Sequence, residues 1–61
     1  MIFAVVNFKG KLQDLNRVFV NKKDAFAYYN EVKAKYPHIH FAVWQNPQGG
    51  GHFEKDITPE D

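Results

Sequence analysis

Sixty-one residues with no cysteine and a formal net charge of +1 exclude a disulfide-stapled secreted mini-protein and leave room for one domain only. The longest apolar run, residues 2–6, is far short of the roughly 20 residues that span a bilayer, and it lacks the basic flank and cleavage site of a signal peptide. A cytoplasmic location is therefore expected.

Six Phe, three Tyr and one Trp in so short a chain set a physical problem. A domain of this size buries only about 60 % of the surface that its unfolded chain exposes. Without disulfides or a metal, its core supplies roughly 3–5 kcal/mol. The aromatic residues must pack unusually well, share their burial with another chain, or form a binding surface.

Residues 1–8 open with Ile2-Phe3-Ala4-Val5-Val6, a β-branched run that reads as a strand apolar on both faces, hence central in its sheet. Ile2, Ala4, Val6 and Phe8 share one face; Phe3, Val5 and Asn7 share the other. Gly10 and the polar stretch after it predict a loop, and residues 17–20 alternate Arg17 and Phe19 with Val18 and Val20 as a second strand. So short a connection requires the two strands to be antiparallel.

Asn21 is a good N-cap, with Asp24 placed to reach back as in a capping box. Ala25, Tyr28, Tyr29, Val32 and Tyr36 follow the helical period until Pro37 stops it. A third strand is predicted over 38–45. Ile39, Phe41 and Val43 line one face, and His38, His40, Ala42 and Trp44 the other. After the breaker at residues 46–51, Phe53 and Ile57 are candidate inward residues of a weak fourth strand.

The expected fold is α+β, in the order β-β-α-β. One helix packs on one face of a small, mainly antiparallel three-stranded sheet of spatial order 2-1-3, with a possible C-terminal fourth strand. Residues 1–48 form the compact domain, and 49–61 a Gly-rich hinge and acidic tail. Seven cations against three acids give residues 1–48 a surplus of four positive charges, whereas residues 49–61 hold one cation against four acids. A tail that screens a basic face is one use of this asymmetry, and solubility is the other.

Four features bear on function. His38 and His40 with His52 have the types of a metal site, but a structural zinc site wants four ligands, mostly Cys and His, and no metal or other cofactor is expected. Gly49-Gly50-Gly51 is followed by neither the helix nor the Lys-Ser/Thr of a phosphate loop. Lys9, Lys11, Arg17, Lys22 and Lys23, interleaved with Phe8 and Phe19, have the composition of a single-stranded nucleic-acid surface. Against that stand the missing RNA-recognition aromatic motif and a pI of about 8.0.

Trp44, with Ala42, His40 and His38 on a sheet face that one helix leaves uncovered, is the favoured contact site, because tryptophan is enriched at interface hot spots. Catalysis lacks the usual groups: no Cys, no Ser, and Thr58 as the only Thr. In size and element order the chain resembles the small inhibitors that bacteriophages encode against host enzymes. That resemblance implies a regulator or inhibitor of a larger protein.

The sequence thus predicts a non-enzymatic module whose partner is a protein, with nucleic acid as the alternative and no membrane partner. It also predicts a two-fold homodimer through the sheet face or the unprotected edge of the third strand. If instead Phe53 and Ile57 fold back over the sheet, the tail provides the cover and the chain stays monomeric.

Overall fold

The double-sided apolar character of residues 2–6 is used in full. In a computed structural model, which describes residues 1–7 and 13–59, β1 (Phe3–Asn7) lies between two antiparallel neighbours, β2 (Arg17–Phe19) and β3 (Phe41–Gly49). A fourth strand, β4 (His52–Asp56), pairs with β3 and completes the order β2-β1-β3-β4. The helix α1 (Lys22–Lys35) packs on one face. The expected α+β arrangement, fourth strand included, is the fold of the chain.

Register assigns the faces. Phe3 opposes Phe19 and Gln45, and Val5 opposes Arg17 and Val43. Opposed residues in an antiparallel pair point the same way. Phe3, Val5, Phe41 and Val43 therefore meet Ala25, Tyr29 and Val32 of α1, and Val5 and Val43 are fully buried. Phe19, Phe26, Tyr28, Tyr36, Ile39 and Ile57 pack around this cluster. Among the described residues no polar or charged side chain is buried.

The helix follows the predicted apolar stripe, with one difference at its start. Asn21 is the N-cap and its carbonyl accepts the Ala25 N–H at 3.1 Å, but its side chain makes no cap bond. At the other end Tyr36 is the C-cap, donating to the Val32 carbonyl at 2.8 Å just before Pro37. Between β1 and β2, a 3₁₀ turn (Gln13–Leu15) is anchored by the Tyr28 hydroxyl, which donates to the Leu15 carbonyl. Asn16 Oδ1 accepts both the backbone and the side-chain N–H of Asn7.

Two boundaries depart from expectation. The third strand begins at Phe41, not His38, because Ile39 N–H donates to the Tyr36 carbonyl at 3.1 Å and closes a turn after Pro37. The same strand runs on through Pro47, beyond the stretch flanked by β1, where a missing N–H is tolerated. The edge of β3, expected to stand open, is occupied by β4, so the sheet edges are β2 and β4. Gly49, Gly50 and Gly51 turn the β3–β4 hairpin with φ of 83°, 58° and 83°, a run of left-handed backbone that glycine adopts without steric cost.

No helix among the described residues is long and apolar enough to cross a membrane. Val43→Ala, which empties a fully buried site, is expected to lower unfolding stability by about 2–3 kcal/mol from lost transfer energy plus cavity. Val20→Ala, at a position 78 % exposed, is expected to stay within about 0.5 kcal/mol. Urea denaturation of the two variants checks the pair.

Candidate functional site

The face of the sheet opposite α1 is built from the alternate positions of the same strands. Ala4 opposes Val18 on one side and Trp44 on the other, and Trp44 opposes Asp56. A row Val18–Ala4–Trp44–Asp56 thus crosses the whole sheet. In the next row Val6 opposes Ala42. Ala4 and Ala42 are buried beneath their larger neighbours, whereas Val18 is 65 %, Val20 78 % and Ile2 45 % exposed. An apolar surface is left open, and it is widest on the β2 side.

On the β3 side part of the cover comes from the chain itself. The ring of Phe53 stacks on Trp44 with centroids 4.6 Å apart and planes 24° from parallel. Strict alternation would put Phe53 on the helix side, since it opposes Pro47 in the register where Asp56 opposes Trp44. Alternation is broken at Asn46, whose φ of 51° is left-handed, a conformation Asn tolerates better than most residues.

That geometry is held from two directions. Asn46 exchanges bonds with Ile2, its Oδ1 accepting the Ile2 N–H at 2.9 Å and its N–H donating to the Ile2 carbonyl at 2.7 Å. Its Nδ2 donates to Glu54 at 2.8 Å, beside Gln45 Nε2, which donates to the other Glu54 oxygen at 2.9 Å. Phe53 is 37 % exposed, and beneath it Trp44 is half-buried with its Nε1 fully buried. Ile57 takes the opposite face and packs on the core, tied by its N–H to the Val43 carbonyl at 2.9 Å.

Of the four residues expected at a protein contact, Ala42 and Trp44 come together on this face. His38 and His40 lie ahead of β3, both exposed. Among the described residues no three of His, Asp and Glu are gathered in a way that could hold a metal ion. Sequence reasoning missed Val18, Val20, Ile2 and Phe53 as surface. The alternation of Val18 and Val20 was visible, but only the sheet order shows that no layer lies over them.

The basic residues are arranged differently. Lys9 and Lys11 lie outside the described residues. The Arg17 guanidinium sits 5.2 Å above the centre of the Tyr28 ring, on the helix side. Lys22 lies 5.6 Å over Phe26, and Lys33 5.5 Å over Tyr29. Lys23 is exposed at the start of α1. A groove of about 310 Å³ runs between α1 and β2 past Arg17, Tyr28 and Tyr36, with Lys35 paired to Glu31 at 3.7 Å on its rim.

Two amide donors hold the Glu54 carboxyl below its ordinary value, the Asn46 bond first and the Gln45 bond second. A carboxyl whose folded value is depressed stabilises the fold above its unfolded value and loses that contribution as pH falls through the folded one. Acidification through the range below an ordinary glutamate is therefore expected to loosen the hairpin and change Trp44 emission as Phe53 shifts. Glu54→Ala should remove that acid transition, and a fluorescence titration of both proteins checks it.

Comparison of the chain with protein families, with curated proteins and with solved structures returns no match.

Proposed function

We propose that the chain is a small, non-enzymatic binding module that acts through protein–protein contact on the sheet face opposite α1, as a regulator or inhibitor of a larger protein. The observation that carries the reading is the open apolar surface of Val18, Val20 and Ile2 beside the Trp44–Phe53 stack. Contiguous exposed apolar patches mark interaction sites, and tryptophan is enriched at the hot spots within them. A domain with this face works by occupying a surface of its target.

Charge argues for protein over nucleic acid. Single-stranded nucleic acid needs free ring faces for bases and nearby cations for phosphates. Here Arg17 and Lys22 already lie over the rings of Tyr28 and Phe26. On the open face, Trp44 opposes a carboxylate, Asp56. The non-enzymatic reading is supported by Thr58, the only Thr: its hydroxyl donates to Asp56 and accepts the Val43 N–H at 2.9 Å, a structural duty.

The expected result is that proteins retained from a lysate of the source cells by the immobilised chain stay bound at low and high salt alike, and are lost from Val18→Asp. Val18 is 65 % exposed, so the variant keeps the fold. A labelled single-stranded oligonucleotide is the counter-test. Tight binding that falls steeply with salt would replace this function with the nucleic-acid one.

A further inference from the structure

Resting on that reading of the face, we propose that the partner docks by adding a strand. An extended segment of the target protein pairs antiparallel with the free edge of β2, with an acidic side chain set against Arg17. Bonding direction singles out one residue of that edge. The Asn46 N–H reaches the Ile2 carbonyl and the Asn7 N–H reaches the Asn16 side chain. Even-numbered residues from Ile2 on thus bond toward β3, and odd-numbered ones toward β2. Phe3 and Val5 therefore exchange backbone bonds with Phe19 and Arg17. Between these two, the Val18 N–H and C=O point away from the sheet, where the described residues place no further strand. Strand addition to such an edge draws its affinity from main-chain bonds and does not need a wide apolar surface.

The two edges differ in how they receive a strand. β4 carries Glu54, Lys55 and Asp56, charges of the kind that discourage pairing. β2 has one charged residue, Arg17, and its guanidinium is drawn over the Tyr28 ring on the helix side. Val18, 65 % exposed, flanks the outward peptide groups with an apolar, β-branched side chain.

Alternation sorts the side chains of the incoming strand. The residue opposite Val18 points to the open face, where an apolar side chain extends the row Val18–Ala4–Trp44. Its two neighbours oppose Phe19 and Arg17 and point to the helix side. There the groove of about 310 Å³ between α1 and β2 is walled by Leu15, Tyr28, Val32 and Tyr36. The neighbour opposite Phe19 is apolar, to suit the Phe19 and Tyr28 rings, whose centroids are 5.5 Å apart. The neighbour opposite Arg17 is acidic. Lys35 is held by Glu31 at 3.7 Å, whereas Arg17 makes no ion pair among the described residues. From its N-terminus the segment therefore runs apolar, apolar, acidic. A second copy is the poorer occupant, since pairing Val18 with its own equivalent sets Phe19, and no acid, against Arg17.

The probe is the capped peptide Thr-Thr-Ile-Val-Glu-Thr, titrated into the ¹⁵N-labelled chain. Amide shifts are expected along β2, with a dissociation constant on the order of 1 mM or below, and exchange of the Val18 amide should slow. Glu→Gln in the peptide should weaken binding about two- to fivefold. N-methylation of its Val removes the N–H that the Val18 carbonyl accepts and should weaken binding about tenfold. Val18→Pro should do the same from the side of the chain and keep the fold, because the N–H it removes bonds nothing within the sheet. Arg17→Glu should reverse the preference in favour of Thr-Thr-Ile-Val-Lys-Thr, a test that stands even if the proline variant does not fold. Absence of binding at about 2 mM, shifts confined to β4, or equal binding of the N-methylated peptide overturns the proposal. So does a Val18 amide whose protection in the free chain grows with protein concentration, which makes a second copy the occupant. Capture of a cellular protein separates this proposal from the reading it rests on. Capture lost from Val18→Asp but kept by Val18→Pro leaves the contact on the face, and the edge proposal falls alone. Capture indifferent to Val18→Asp sinks the face reading, whatever the peptide does.

Discussion

A central strand that is apolar on both sides, in a chain with one helix, is the constraint on which everything else depends. β1 needs cover above and below, because Phe3 and Val5 point to one side and Ala4 and Val6 to the other. The helix supplies one layer through Ala25, Tyr29 and Val32. On the second side the chain economises with small residues: Ala4 and Ala42 are buried by their flanking neighbours without any layer above them. That device works in the middle of the sheet and fails at β2, where Val18 has no neighbour beyond it.

The β3–β4 hairpin is the partial answer to the same demand. By breaking alternation at Asn46, the chain transfers Phe53 from the covered to the uncovered side and stacks it on Trp44. The left-handed residue, its two bonds to Ile2 and the Glu54 carboxylate act as one unit, since each fixes the orientation that the others need. Ile57, a few residues later, serves the helix-side core. One short segment thus contributes to both layers of the molecule. What it leaves open is the β2 half, and a contact surface is therefore expected there.

Aromatic residues divide between the two sides with different polar companions. On the helix side Tyr28, Tyr29 and Phe26 lie beneath Arg17, Lys33 and Lys22, so long cationic side chains extend the core's apolar cover while keeping their charge in water. On the other side Trp44 and Phe53 have carboxylates for neighbours along β4. Among the described residues the acids Glu54 and Asp56 lie on the β4 edge, whereas the cations of residues 1–48 lie on β2 and along α1.

Local rules accounted for the elements that depend on local physics. The period of Ala25, Tyr29 and Val32 with the stop at Pro37 located α1, and the double-sided run of residues 2–6 located the central strand. From these followed the order 2-1-3, the fourth strand beyond it, and the pairing of Ala42 with Trp44 on the uncovered face. The start of β3 was not legible, because the Tyr36–Ile39 turn that removes His38 and His40 competes with an alternation that looks equally good on paper. Nor was the place of Phe53, which depends on bonds from Asn46 to Ile2, 44 positions away, and to Glu54, 8 positions away. The sequence by itself determined which residues are apolar and with what period, since those are properties of each stretch alone. Only the tertiary structure decided which apolar residues stay in water, because exposure depends on the layers above a residue and one helix cannot cover both faces of a sheet.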